Sequence, residues 1–251
     1  MEKTEITTIE GRNPVCEALD AGLPIERIYI SNRAGGSQIT KLITAAKEKG
    51  VPFKSVPPEK IDELAKTDTN QGVVAVCAEI FYAQVSDILR RAEEKQEPPF
   101  IIIADEITDP HNLGAIIRTA NAVGAHGVII PKNRSAGVSP VVFKTSAGAA
   151  AHTLVARVGN LTQTMNELKK CGLWITGADM AGEQEMCQAD LTGPIAIVVG
   201  SEGKGITKKI RDNCDFFVRI PMVGEINSLN ASVAAAVLMY EALRQRRIQH
   251  D

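Results

Sequence analysis

Three stretches of this sequence gather side chains whose chemistry exceeds what a fold requires. The first is Asp105-Glu106-Ile107-Thr108-Asp109-Pro110-His111-Asn112-Leu113-Gly114. Asn112 stands where it could cap the helix that follows. Along that helix Ile116, Ile117, Ala120 and Val123 form one apolar arc, and Arg118 lies off it beside Ala115, Thr119 and Ala122. A solvated arginine is the plain reading. A guanidinium among small residues can equally approach a phosphate, a ribose or a second subunit. The second stretch, Gly200-Ser201-Glu202-Gly203-Lys204-Gly205, combines close-spaced glycines with a carboxylate that a tight turn does not need. It is neither a Walker A loop nor a GxGxxG turn, because Gly205 is followed by Ile206 and Lys208 stands where the last glycine belongs. The third, Ile220-Pro221-Met222 through Asn227-Ser228-Leu229-Asn230-Ala231-Ser232, places two Asn and two Ser before an Ala-rich helix that one cap would satisfy.

The elements that must position these residues alternate in type. Residues 1–80 read as a complete small α/β unit: helix 11–21, strand 25–30, helix 38–49, strand 53–56, helix 58–65 and strand 73–76. Residues 81–99 read as a linker, a helix-like stretch through Arg90 and Arg91 followed by the charged, Pro-terminated Glu93-Glu94-Lys95-Gln96-Glu97-Pro98-Pro99. From 100 to 251 the pattern restarts with the continuous apolar run Phe100-Ile101-Ile102-Ile103-Ala104, typical of a buried parallel strand. Strands at 127–130, 154–157, 173–176, 195–199 and 216–220 alternate with helices near 113–124, 141–147, 160–171, 205–212 and 229–247. That order implies a parallel sheet covered on both faces. The three unusual stretches then follow strands, at the carboxyl edge where α/β sheets hold ligands.

Composition narrows the class. With 251 residues, 44% hydrophobic and 23% charged, the chain can bury a core or two. Its net charge of −2 opposes a uniformly cationic surface. The basic clusters Lys132/Arg134, Lys204/Lys208/Lys209/Arg211 and Arg244/Arg246/Arg247 are first of all solvated helix faces and ends. Five scattered cysteines and four unpatterned histidines give no disulfide framework and no zinc spacing, as expected of a reducing cytoplasm. No apolar run reaches the ~18 residues of a membrane span, and the polar N-terminus has no signal-like core. A soluble cytoplasmic protein is expected.

In order and spacing, the three stretches resemble the signature motifs of the SpoU (TrmH-like) branch of the SPOUT RNA methyltransferases. Asp109-Pro110-His111-Asn112-Leu113-Gly114-Ala115-Ile116-Ile117-Arg118-Thr119-Ala120 is similar to D-P-x-N-x-G-x-x-x-R-T-A. Gly200-Ser201-Glu202-Gly203 resembles the family's glycine loop with its central glutamate. Ile220-Pro221-Met222 and Ser228-Leu229-Asn230-Ala231-Ser232-Val233-Ala234 resemble I-P-M and S-L-N-x-S-V-A. Gly11-Arg12-Asn13-Pro14-Val15 and Asn70-Gln71-Gly72-Val73-Val74 resemble the family's small ribosomal-protein-like RNA-binding domain. The two-domain arrangement is most similar to members that modify a guanosine in large-subunit (23S) ribosomal RNA.

The resemblance implies an α/β trefoil-knot catalytic domain at 100–251 and an N-terminal α/β RNA substrate-binding domain at 1–80. It implies S-adenosylmethionine as methyl donor, RNA as substrate, and a homodimer whose sites are completed across the interface. Gly200, Ile220 and Leu229 match positions that hold the cofactor. Asn112, Arg118, Glu202, Ser228 and Asn230 match the catalytic set. Arg12 and Asn13 in the first domain, and Arg134 and Lys144 near the second, are the expected RNA contacts. Methyl transfer to a 2′-hydroxyl requires a proton acceptor but no metal. Arginine keeps its proton to a pKa above ~12, so Arg118 is expected to position phosphate and ribose, with Glu202 a candidate acceptor. The competing readings are the same transfer on tRNA and a non-catalytic ribosome-assembly factor; the failed GxGxxG disfavours an oxidoreductase.

Overall fold

The computed structural model describes residues 8–20, 22–65, 67, 69–77, 82–225 and 228–248. The chain divides into two compact units, 1–81 and 82–251.

In the first unit, strand β1 (Thr8–Glu10) leads into helix α1 (Arg12–Asp20). Strand β2 (Ile25–Ser31), helix α2 (Ser37–Glu48), strand β3 (Phe53–Val56), helix α3 (Pro58–Leu64) and strand β4 (Val73–Cys77) follow. The sheet order is β1-β4-β2-β3, with β4 antiparallel to both neighbours and β3 parallel to β2. Ile39, Leu42 and Ala46 of α2 recur at helical spacing and are all buried. Ile61 of α3 packs with Val56 and Val74. Strand β1, which the sequence reading passed over, is three residues long with every residue half-buried. So short a run carries no readable alternation.

The second unit opens with helix α4 (Val85–Lys95), inside the segment read as a linker, and its Ile88 and Ala92 are buried. Then come β5 (Phe100–Ala104), α5 (Pro110–Ala122), β6 (Gly127–Pro131), α6 (Pro140–Thr145), β7 (Val155–Val158) and α7 (Leu161–Lys170). Strands β8 (Trp174–Ala178), β9 (Gln184–Glu185) and β10 (Ile195–Val199), helix α8 (Lys208–Arg211), strand β11 (Phe216–Arg219) and helix α9 (Ala231–Ile248) complete it. The sheet order is β7-β6-β5-β10-β8-β11-β9, parallel throughout.

Alternation along β5 sorts the core into two layers. Phe100, Ile102 and Ala104 meet Leu113, Ile116 and Ile117 of α5 and Ala235, Leu238 and Met239 of α9. Ile101 and Ile103 meet Ile88 of α4, Leu161, Met165 and Leu168 of α7, and Ile210 of α8. Both faces are therefore dry, as an all-parallel sheet requires. At the amino edge, buried His126 accepts the Phe100 amide on Nδ1 at 2.9 Å and faces Glu97 through Nε2 at 3.1 Å. Arg246 lies over the Phe100 ring at 4.8 Å and donates to the carbonyls of Leu191, Pro98 and Gly193. One cation of the third basic cluster is thus a structural strut.

Candidate active site

The sequence placed Asn112 as the cap of α5, and the structure corrects this. The helix begins three residues earlier, at Pro110, and Asp109 is the cap, accepting the His111 amide at 2.9 Å. Proline fits the first helical position because its missing N–H has no partner there anyway. Asn112 is thereby freed for other contacts and sits buried in the first turn. Its Nδ2 donates to Glu202 Oε1 at 3.0 Å, and its Oδ1 accepts from Asn230 Nδ2 at 3.0 Å. Asn230 also donates to Glu202 Oε1. Three side chains from three distant stretches close into one polar network.

Asn230 has two tasks, and its two amide ends divide them. Its Oδ1 caps α9, accepting the amides of Ser232 at 2.9 Å and Val233 at 3.2 Å and the Ser232 hydroxyl at 2.6 Å. Its Nδ2 serves the network. Asn227, one of the four polar residues singled out in that stretch, lies outside the described residues.

Part of the glycine loop's main chain is bonded within the loop itself. Ser201 and Gly205 exchange backbone hydrogen bonds at 3.1 and 2.9 Å, and the Lys204 amide donates to the Glu202 carbonyl at 2.9 Å. These amides close the loop on itself instead of reaching outward. A Cβ on Gly200 would lie 2.1 Å from the Gly205 carbonyl carbon, so that glycine is required by the loop's own backbone. Gly203 and Gly205 have φ of +77° and +64°, the left-handed region. The helix expected from 205 starts only at Lys208. Before it, Asp105 pins the loop exit by accepting the Thr207 amide at 2.8 Å. Burial pushes the Asp105 carboxyl up from its ordinary value, while the Thr207 amide and hydroxyl oppose the rise.

Beside this network lies a cavity of about 720 Å³ at the carboxyl ends of β8, β10 and β11. Gly200 and Glu202 of the second stretch and Ile220, Ser228, Leu229 and Asn230 of the third line it together. So do Met222, quoted above within the third stretch, and Asp179 and Met180, which sequence reasoning missed. Asp179 and Met180 had one available signal: they follow directly on the strand ending at Ala178. The volume suits a nucleoside-sized ligand.

The remaining expected residues stand elsewhere. Arg118 is exposed, with no hydrogen bond or ion pair among the described residues. Six positions after Asn112, it is turned about 120° from it around α5, and it does not line the cavity. Arg134, at φ +56°, pairs with Glu106 at 3.1 Å while staying largely exposed. Lys144 is exposed in the last turn of α6. In the first unit, the Arg12 guanidinium donates to the carbonyls of Gln71 and Gly35, both at 3.2 Å, so it braces two loops. Asn13 is exposed and accepts from Gln38 at 3.4 Å. Among the described residues no cluster of His, Cys, Asp and Glu is placed to hold a metal, and no helix is long and apolar enough to cross a membrane.

A doubly covered parallel sheet with a strand-end cavity and an Asn–Glu–Asn network defines an α/β ligand-binding protein. Comparison with known proteins gives the family. Residues 99–240 match the SpoU rRNA methylase family, and residues 8–83 match the RNA 2′-O ribose methyltransferase substrate-binding domain. The chain is 44% identical to YacO of Bacillus subtilis, assigned to the TrmH family of tRNA/rRNA methyltransferases, over 94% of each chain. Its fold matches the SpoU methyltransferase AviRb of Streptomyces viridochromogenes, solved with AdoMet, with TM-score 0.70 and 27% identity over 96% of this chain and 91% of that one. A TrmH/SpoU tRNA-modifying enzyme of A. aeolicus matches with TM-score 0.56 and 30% identity over 64% of this chain and 84% of that one. The chain belongs to the SpoU/TrmH family of RNA methyltransferases.

Proposed function

We propose that the protein transfers a methyl group from S-adenosylmethionine to a ribose 2′-hydroxyl of RNA. The observation that carries this reading is the Asn112–Glu202–Asn230 network at the edge of the strand-end cavity. It joins all three motif stretches around one space large enough for the cofactor. Ile220, Leu229, Ala231 and Ala234 give that space apolar walls, and Gly200 and Gly205 bring main chain to its surface, a lining that fits a nucleoside with a thioether-like arm. Bound there, the cofactor supplies an electrophilic methyl on a sulfonium sulfur. The match of residues 8–83 to a 2′-O ribose methyltransferase substrate-binding domain supports the choice of acceptor.

The roles follow from the donors. Asn112 and Asn230 both donate to one oxygen of Glu202, so they fix that carboxylate and leave its other oxygen to receive the hydroxyl proton, directly or through water. Ser228 lines the cavity and orients the acceptor ribose. Arg118 cannot act as a base at neutral pH; it positions the phosphate and ribose of the target nucleotide. Since Arg118 is exposed and turned away from the network of its own chain, it serves the site of a second copy, in a homodimer. In the first unit Asn13 meets RNA on loops that Arg12 braces; Arg134 and Lys144 add phosphate contacts.

The target we favour is a guanosine of large-subunit ribosomal RNA, supported by the resemblance of the two-unit arrangement to members with that target; the likeness to the tRNA/rRNA methyltransferase relative YacO spans both units and 94% of its length. The tRNA reading stands second, supported by the A. aeolicus tRNA-modifying enzyme, whose likeness spans 64% of this chain. Mapping 2′-O-methyl marks in rRNA and tRNA from cells with and without the gene decides between them. Identical maps overturn the function itself. The dimer is tested by mixing Asn112→Ala and Arg118→Ala proteins, each inactive alone. Random reassociation should restore about a quarter of wild-type activity, and no recovery after verified subunit exchange defeats the shared site.

A further inference from the structure

Of the charged residues lining the cavity, Glu202 belongs to the motif network, but Asp179 belongs to none of the three stretches. It stands one residue past the end of β8, where strand-end ligands meet an α/β sheet. Its position is fixed on every side. Its amide donates to the Val218 carbonyl at 3.0 Å, its Oδ1 accepts the Ala181 amide at 2.8 Å, and its carbonyl accepts the Gly182 amide at 3.0 Å. Oδ2 is paired with Arg211, which is itself held over the Phe217 ring at 4.8 Å. A carboxylate offers roughly four acceptor sites, so the two partners leave capacity on both oxygens, and the side chain keeps 18% of its exposure.

We propose that Asp179 accepts hydrogen bonds from the vicinal ribose hydroxyls of the nucleoside held in the cavity. This rests on the cofactor reading above and deepens it. Two adjacent hydroxyls match two carboxylate oxygens, and a strand-end carboxylate serves ribose in the same way in dinucleotide-binding sheets. Arg211 decides against the other cofactor donor, the α-ammonium: with its charge offset by a guanidinium, Asp179 is an acceptor for neutral hydroxyls more than a counter-ion.

The test is calorimetric titration of the full chain with S-adenosylmethionine, S-adenosylhomocysteine and 5′-methylthioadenosine, the last lacking the amino-acid arm. Asp179→Asn keeps an oxygen for the Ala181 amide and should weaken all three ligands by roughly tenfold or more, the usual scale for a hydrogen bond to a charged group. Unchanged affinity for all three overturns the inference. Loss confined to the two ligands with the arm overturns the ribose assignment in favour of the ammonium. Arg211→Gln breaks the same ion pair but keeps the carboxylate, and should bind at least as tightly as wild type. If it weakens binding as much as Asp179→Asn, the pair is only a strut and the inference fails. The ligand-side counterpart needs no variant: 5′-methylthio-2′-deoxyadenosine should bind wild type roughly tenfold or more weakly than its ribose form, and equal binding overturns the proposal. Absence of heat with wild type and every ligand removes the cofactor reading and this inference together; binding that Asp179→Asn leaves untouched removes this inference alone.

Discussion

Amide direction matters more than residue type at this site. Asn112 is useful because one end donates to Glu202 while the other accepts from Asn230. Asn112→Asp nearly preserves shape but replaces the donor with an acceptor, setting two carboxylates 3.0 Å apart. Turnover should fall by about tenfold to a hundredfold near neutral pH. Part of the loss should return as pH falls and one proton is shared between the two groups. A pH–rate profile parallel to wild type would rule this account out. Elsewhere, Thr176 has a buried hydroxyl with no hydrogen-bond partner among the described residues. Thr176→Val keeps the branched shape and removes an unpaired polar atom, so thermal stability should be unchanged or raised, by up to about 1 kcal/mol. A clear fall in Tm would show that the hydroxyl has a partner in solution.

At the scale of elements, the glycine loop and the amino edge of the sheet make separate predictions. A Cβ on Gly200 meets backbone at 2.1 Å, and backbone cannot swing aside as a side chain can. Gly200→Ala should therefore deform the loop, abolish cofactor binding by calorimetry, and lower Tm by several degrees. At the amino edge, burial lowers the His126 pKa below its ordinary value, although Glu97 works the other way. Protonation would also take away the acceptor that holds the Phe100 amide. The unfolded chain then binds a proton more readily than the folded one. The contribution of His126 to stability is complete above about pH 6.5 and declines as pH falls from there toward the lowered folded-state value. Denaturant titrations between pH 7.5 and 5 should show this decline, and His126→Gln should flatten it. An equal slope in that variant would assign the decline to other groups.

For the whole molecule, the division of labour between the units is open to direct test. Every residue lining the cavity lies in 178–234, inside the second unit, which carries both layers of its own core. A chain starting at residue 82 should fold cooperatively and bind S-adenosylmethionine within a few-fold of the full chain, while losing affinity for RNA. Loss of cofactor binding in a folded fragment would mean that the first unit helps shape the cavity.

The sequence by itself determined the order of the longer elements and the layering, while the short strands β1 and β9 left no readable pattern. The uninterrupted run Phe100-Ile101-Ile102-Ile103-Ala104 is buried at every residue, as its lack of alternation required. The i, i+3, i+4 spacing of Ile39, Leu42, Ile43 and Ala46 marked α2, although Ile43 itself is only half-buried. Such patterns are local, so a window of a dozen residues contains them. Strand-end placement also flagged the three stretches, and their order and spacing carried the resemblance to the SpoU family. What only the tertiary structure decided was the use of each side chain. Asp109 took the cap that Asn112 was expected to supply, because a helix start is set by backbone geometry that several nearby polar residues could satisfy. The amides of Ser201, Lys204 and Gly205 bond within the glycine loop, since a contact between Gly200 and Gly205 leaves no trace in composition. Asp179 and Arg211 are 32 residues apart, and Asn112 and Glu202 are 90 apart. No periodicity spans such distances; only the crossing of parallel strands brings these groups to one edge.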